Sequence, residues 1–415
     1  MKLPGLLVLT ALFASPMIAA DTQSATQAVN QLGVDLYREL ATGDSNLCLS
    51  PYSIQVALAM TFAGADGQTR AEMVKVLHYP AEGTAIHDSF AELKRSLDAA
   101  VEKSIERSKQ WNSDPITLEV ANRLFGRKGE DFKSPFLELI KKLYGAPLEQ
   151  VDFRNNADRA IAHINGWVED QTHKRIAHLI PPKALDAATR LVLVNAIYMK
   201  ASWTEPFPVG ATKPEPFHVR GVGTTTDVPT MNRHAKLGYS KGNGFTAVTI
   251  PYSTGDLQFL VIVPDAVDGL RSIESKLTGE TLAGCAKSTQ RETILHLPKF
   301  KLEPDTIALG GLLKQLGMKS AFDDPPGSAN FDRIAPRRPN DYLAISGVFH
   351  KTFISVDEKG TEAAAATAVA MRAMAAIMPR EQPIEVKVDR PFLFAIQHAP
   401  SGACLFIGRV MDPGK

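Results

Sequence analysis

The chain has 415 residues, a net charge of +1, 22% charged and 44% hydrophobic residues. That composition excludes a disordered or fibrous chain, and the length allows two domains or one domain with a large core. The near-neutral balance removes any general electrostatic case for nucleic acid or an anionic membrane surface as partner.

At the N-terminus, MKLPGLLVLTALFASPMIAADTQ carries one cation at Lys2, an apolar core from Leu6 to Ala14 and small residues at Ala19 and Ala20. This is the layout of a secretory signal peptide cut after Ala20. Residues 1–20 are then a leader, and the mature protein is secreted, extracellular or periplasmic, and free of the membrane. An uncleaved anchor is the alternative, because Ile18 fits the cleavage pattern poorly. Val29, Leu32, Leu36 and Leu40 follow as a helical stripe. Ser50 before Pro51 forms an N-cap and first-turn pair, opening a helix that Gly64 can close. Further helices are expected at about 69–78, 86–103, 133–144 and 156–174.

Strand-like runs take over in the second half. They are RLVLVNAIYMK (190–200), FTAVTIPY, LQFLVIVP, TILHLPKFKL and YLAISGVFHKTFISV, closing with IEVKV, FLFAIQH and CLFIGRV. All are rich in β-branched and aromatic residues and bounded by Pro, Gly or Asp. Helices first and strands after, without βαβ alternation, predict an α+β class with antiparallel or mixed sheets. No low-complexity linker divides residues 24–412, which argues for one domain.

Signals for catalysis are sparse. Gly238-Tyr239-Ser240-Lys241-Gly242 matches G-x-S-x-G, but a nucleophile elbow needs an apolar strand before the serine and a helix after it. Arg233-His234-Ala235-Lys236 precedes it, and another glycine and a strand follow, so the segment reads as a turn and the chain as no enzyme. There is no P-loop, no H-E-x-x-H, no dinucleotide fingerprint and no Cys/His cluster at metal spacing, so neither metal nor cofactor is expected. Cys48, Cys285 and Cys404 make no disulfide framework, although two of them could bond in an oxidising compartment.

The stretch DEKGTEAAAATAVAMRAMAAIMPREQP, residues 357–383, stands apart. Between Gly360 and Pro379 it has nine alanines, and its only charges are Glu362 and Arg372. Ala favours a helix, and Met371, Met374 and Met378 recur at helical spacing. At period 2, however, Thr361, Ala363, Ala365, Thr367, Val369, Met371 and Ala373 are all uncharged, while both charges fall on even positions. Periodicity alone leaves helix and strand open.

The surrounding segments supply a context. NLCLSPYSIQVALAMTFAGADGQTRAEM, LVLVNAIYMKASWTEPF, LHLPKFKLE, DRPFLFAIQH, LFIGRVMDP and, most specifically, VFHKTFISVDEKGTEAAAATA resemble segments of the serpin (serine protease inhibitor) family. They occur in family order and span essentially the whole mature chain. The resemblance implies the serpin fold, with helices packed on three mostly antiparallel or mixed β-sheets and an exposed reactive loop. It implies a single domain over residues 21–415, with the loop at about 358–383.

It also implies a mechanism. A serine protease attacks the loop as substrate and forms a covalent acyl-enzyme. The cut loop then inserts as a new strand into the main sheet before water can release the ester. The partner is thus a serine protease, and the inhibitor is a monomer needing no cofactor. The hinge comprises Glu358, Gly360, Thr361, Glu362, Ala363, Ala364, Ala365, Ala366 and Thr367. Its inward side chains must be small, because a charge carried into the sheet stays buried and unpaired. From Gly360 to Met374 is fifteen residues, roughly 50 Å of strand.

Counting fourteen residues beyond Gly360 puts the scissile bond at Met374–Ala375, which suits elastase-, chymotrypsin- or subtilisin-like enzymes. The segment from Ala375 to Pro391 is longer than the family pattern, which keeps Arg372, Ile377, Met378 and Arg380 open. Arg372 would select trypsin-like enzymes instead. Ser50, Ser53, Asn195 and His350 match the hydrogen-bonded cluster beneath the sheet opening. Glu358 and Lys299 match a cross-strand pair at its top, with Trp203 at the same end. Two rivals stand beside this reading: a non-inhibitory serpin acting as carrier or chaperone, and an exported hydrolase using Ser240. The first is signalled by bulky, charged or Pro residues at the inward positions from Thr361 to Thr367, and none is present.

Overall fold

The computed structural model describes residues 22–80, 85–111, 114–221, 224–339, 341–362 and 382–415. The expected leader at residues 1–20 and the alanine run from 363 onward lie outside them. Helices lead the chain: α1 (Gln23–Leu40), α2 (Pro51–Phe62), α3 (Gly67–Val76), α4 (Ala85–Trp111), α5 (Ser134–Tyr144) and α6 (Ala157–Gln171). Three short ones follow: α7 (Leu270–Lys276), α8 (Gly279–Cys285) and α9 (Gly310–Gln315). The early strands are β1 (Leu47–Leu49), β2 (Thr117–Arg127), β3 (Glu149–Val151) and β4 (Leu191–Ser202). Then come β5 (Lys213–His218), β6 (Thr225–Gly242), β7 (Phe245–Pro251), β8 (Leu257–Pro264), β9 (Thr289–Pro298), β10 (Phe300–Leu302) and β11 (Ile307–Ala308). The last are β12 (Ile345–Thr352), β13 (Ile354–Val356), β14 (Gly360–Thr361), β15 (Ile384–Lys387), β16 (Phe392–His398) and β17 (Ala403–Val410).

Local chemistry accounts for several boundaries. The Ser50 hydroxyl accepts the Ser53 N–H at the start of α2, and Pro51 occupies the first turn. Every residue of α2 is buried; the helix is mostly apolar on all sides, and its polar Ser53, Gln55 and Thr61 are hydrogen-bonded. Gly145 ends α5 in the left-handed conformation, φ 65°, and its N–H reaches back to Lys141.

Four expectations need correction. β2 lies in the half read as helical, because polar Asn122 and Arg123 break its alternation of apolar residues. TILHLPKFKL is two strands in different sheets, β9 and β10, parted at Lys299 after Pro298. YLAISGVFHKTFISV begins pairing only at Ile345 and is interrupted at Phe353. Gly238–Gly242 is not a turn: it is the end of β6, where Ser240 stands opposite Ala247, and the turn comes after it, with Gly244 at φ 82°. With the motif inside a paired strand, Ser240 lacks the strand–turn–helix setting of a nucleophile elbow.

The 18-residue β6 joins two sheets into one ladder. Its first part pairs with β5 and β9, and β9 carries β15; its last residues pair with β7, which leads through β8, β16 and β17 to β1. The main sheet is separate. In it β2 lies on β4, and β12–β13 lies on the other side, flanked by β10 and β11. The large core fills one face of this sheet, and a second cluster under α6 covers the other. No described helix is long and apolar enough to cross a membrane.

The pairing between β4 and β12 positions everything that follows. The two run parallel from Ile345↔Leu191 to Thr352↔Ile197. Above that point β13 and β4 part, and Gly360–Thr361 fills the gap, with Thr361 opposite Val356 on one side and Ala201 on the other. A Cβ on residue 360 would collide with the Ala201 carbonyl oxygen, so only glycine fits this place.

Candidate functional site at the sheet seam

Beneath the seam, Ser50, Ser53, Asn195 and His350 are all fully buried and brought together. The Ser50 N–H donates to His350 Nε2 (2.9 Å), so Nδ1 carries the imidazole proton and donates to Asn195 Oδ1 (2.5 Å). Ser53 completes the chain through Asn122, its hydroxyl donating to Asn122 Oδ1 (2.8 Å) while Asn122 Nδ2 donates to the Ser53 carbonyl (2.9 Å). One donor is left over: the buried Asn195 Nδ2 has no partner. The His350–Asn195 bond joins β12 to β4 directly, so a strand entering here must break it. Asn122, directly opposite Asn195 in the β2–β4 register, was not singled out in the sequence. Only the folded register brings them together.

Burial holds the His350 imidazole well below its ordinary range, down to about 3, and does the same to His87 and His398, both to about 4. Unfolded histidines take up a proton near pH 6.5, whereas these three stay neutral in the fold until the pH is far lower. Stability is therefore unaffected above that value and falls as pH drops below it, by ~1.4 kcal/mol per pH unit per fully linked group. Unfolding at pH 5 should take up close to one proton fewer in His350→Gln than in the parent, and the difference should vanish at pH 8. Equal uptake at pH 5 would mean that His350 is not held neutral.

At the top of the seam, Lys299 Nζ and Glu358 meet at 2.8 Å, and the Thr212 hydroxyl donates to the other carboxylate oxygen at 2.8 Å. Burial alone would raise the Glu358 carboxyl, but these bonds outweigh it and hold it below the ordinary range. Trp203 is buried, stacked on Tyr252 with ring centres 4.7 Å apart, and its Nε1 donates to the Asp357 carbonyl. Tyr252 in turn bonds the Thr361 hydroxyl (2.5 Å), so aromatic packing holds Thr361 in place. Glu362 donates its N–H to the Ser355 carbonyl, then turns away at φ 45° and pairs with Arg175. Burial raises the Glu362 carboxyl, a shift that Arg175 only partly opposes. Neither Tyr252 nor Arg175 carries a sequence signal; both come from distant connections.

Of the residues expected to form a hinge, Glu358, Gly360, Thr361 and Glu362 thus lie together at the top of the seam. Ala363, Ala364, Ala365, Ala366 and Thr367 fall outside the described residues, as do Met374–Ala375 and the alternative sites. The three cysteines are free and buried, and burial pushes the Cys48 and Cys285 thiols up to about 12 and about 11. Among the described residues no group of three or more His, Cys, Asp or Glu side chains converges as a metal site.

Comparison with known proteins adds a family. A model described as Serpin (serine protease inhibitor) matches residues 27–413. Leukocyte elastase inhibitor of Bos taurus is 38% identical over 397 residues, covering 93% of this chain and 98% of its own. An uncharacterized serpin-like protein of Thermococcus kodakarensis is 37% identical over 387 residues, covering 93% and 85%. Among solved structures, human thyroxine-binding globulin complexed with thyroxine matches with a TM-score of 0.79 at 27% identity, covering 94% of this chain and 99% of that one.

Proposed function

The chain belongs to the serpin family, and from that premise we propose that it is a secreted suicide inhibitor of serine proteases. The leader at residues 1–20 exports it as a single domain, residues 21–415, to the periplasm or the medium. A mature N-terminus at Asp21 on sequencing the exported protein tests this. The protease attacks the loop after Met374, its serine forms an ester with the Met374 carbonyl, and the new amino terminus at Ala375 departs. The freed segment then zips downward between β4 and β12 until the tethered enzyme is carried across the sheet. Hydrolysis of the ester competes throughout, so the outcome is a race between insertion and water.

The observation that carries this reading is the pairing of Gly360–Thr361 between β13 and β4. Gly360 and Thr361 lie where a strand added between β4 and β12 would begin, and the closed parallel seam lies directly below them. The odd-numbered positions from 363 to 373 are all uncharged, as a strand buried on that side requires. Met374 as the residue before the cut, together with the name of the bovine relative, favours elastase-like enzymes, with chymotrypsin- and subtilisin-like ones next.

Incubation with elastase, chymotrypsin, subtilisin and trypsin tests both halves of the proposal. The expected result is an SDS-stable complex with one of the first three and release of a C-terminal peptide beginning at Ala375. Met374→Arg should raise the rate of trypsin inhibition roughly a hundredfold, because the acidic primary pocket of trypsin-like enzymes gains a charged partner. A peptide starting elsewhere moves the scissile bond to Arg372, Ile377, Met378 or Arg380. Simple cleavage with no complex by any enzyme would instead favour a non-inhibitory serpin.

A further inference from the structure

A cavity of about 550 Å³ opens where three parts of the chain meet. They are β1 at the edge of the long ladder, β10 at the edge of the main sheet, and the tail that follows β17. Leu47, Leu302, Pro304 and Pro413 give it apolar walls. Asn46 fixes the tail that forms one side. Its Oδ1 accepts the N–H groups of Met411 (2.7 Å) and Asp412 (3.0 Å), and its Nδ2 donates to the Asp412 carbonyl (2.8 Å). Neither the buried cluster around His350 nor the residues of the expected hinge line this cavity, apart from the shared neighbourhood of β1 and β10.

The side-chain charges around it are matched, with one exception. Asp44 pairs with Arg271 (3.0 Å), Glu303 with Lys301 (2.8 Å) and Asp412 with Lys415 (3.9 Å). Arg220, in the turn after β5, also lines the cavity. Among the described residues its side chain has no hydrogen bond, ion pair or ring contact. Its backbone is left-handed, φ 57° and ψ 15°, with its N–H donated to the Met411 carbonyl (3.2 Å). That conformation crowds the Cβ of any residue but glycine. Glycine would take it freely, so holding an arginine here costs the fold stability that no side-chain partner offsets.

We propose that this cavity binds a small organic acid, with Arg220 as the group that receives its carboxylate. A guanidinium offers a planar fork of donors that matches a carboxylate, and an unpaired one carries the charge to hold it. The leucine and proline walls take the apolar body of the ligand. The volume falls within the roughly 300–1,000 Å³ of small-molecule sites, which suits an aromatic or branched aliphatic acid. One unmatched cation beside three carboxylates favours a single negative charge over two, so a phosphate monoester is the poorer ligand. The inference does not rest on loop insertion and stands or falls apart from it.

Equilibrium dialysis of the full-length protein against 2-naphthoate, 2-naphthamide and 2-naphthyl phosphate tests the proposal. The acid should bind about tenfold more tightly than the amide and more tightly than the phosphate, and its advantage should shrink in about 0.5 M NaCl. Arg220→Gly relieves the backbone, so it should melt higher than the parent while binding acid and amide alike. Arg220→Gln should lose the preference as well, and Arg220→Lys should keep about a third of it, because the charge stays but the fork does not. Pro304→Trp narrows the apolar wall and should weaken acid and amide together, about tenfold. No binding of the acid by the parent overturns the proposal, as does equal binding of acid and amide or tighter binding of the phosphate. It falls equally if the preference for the acid survives in Arg220→Gly and Arg220→Gln, or if Pro304→Trp binds as the parent does.

Discussion

Protein cut once within the loop should melt on the order of 20 °C above the intact protein, although a peptide bond has been lost. Continuing the ladder from Thr361 opposite Ala201 and Val356 lets the freed segment pair with β4 on one side and β12–β13 on the other. The existing seam has seven register pairs to give up. A strand bonded on both edges replaces it and gains roughly ten net hydrogen bonds, worth ~1 kcal/mol each. Burial of Ala363, Ala365, Thr367, Val369 and Met371 adds about 0.8 kcal/mol per methylene-sized group, several kcal/mol in sum. The gain is then roughly 15 kcal/mol, and a domain of this length unfolds with an entropy near 0.8 kcal/mol per kelvin, which converts to a shift of about 20 °C. Differential scanning calorimetry on intact and nicked samples measures it. Coincident melting would mean that the cut loop stays outside the sheet, and the insertion mechanism would fall with it.

What could be read beforehand depended on whether the signal was local. The helix at Ser50-Pro51 was legible because cap and first-turn residue are adjacent. Gly360 of the expected hinge stood out in the sequence, but the reason for it, the Ala201 carbonyl oxygen lying where a Cβ would sit, exists only once β4 and β14 are paired. The cluster of Ser50, Ser53, Asn195 and His350 spans 300 residues from Ser50 to His350. No periodicity connects such distant positions; only likeness to a family did. Where no likeness helped, residues were missed. Tyr252 and Arg175 look like ordinary loop residues until the fold brings them against Thr361 and Glu362. GYSKG misled for the same reason, since glycines in a strand end and glycines in a turn read alike until the partner strand is known.

The register also decides the largest functional effect expected of one substitution, Ala365→Glu, which should turn an inhibitor into a substrate. Four steps beyond Thr361, position 365 meets residue 197 on β4 (201 − 4) and residue 352 on the other side (356 − 4). These are Ile197 and Thr352, both buried; Ile197 lies in the main core, and the Thr352 hydroxyl donates to the Cys48 carbonyl. A carboxylate arriving there finds no cation and one more acceptor, at a cost of several kcal/mol. Every ~1.4 kcal/mol on the insertion barrier slows it tenfold, so a 3 kcal/mol penalty gives water more than a hundredfold advantage in the race for the ester. Position 366 is the informative neighbour. It meets Ala196 and Lys351 on the outer face, beneath the connection between α6 and β4 rather than in open solvent, with the Lys351 ammonium now directed at the Ala177 carbonyl of that connection. Ala366→Glu gains that cation as a partner and should keep much more inhibition than Ala365→Glu. Inhibitor molecules consumed per protease inactivated, measured for parent and both variants, separates the cases. Equal consumption by the two glutamates would show that the added strand does not continue the register begun at Thr361.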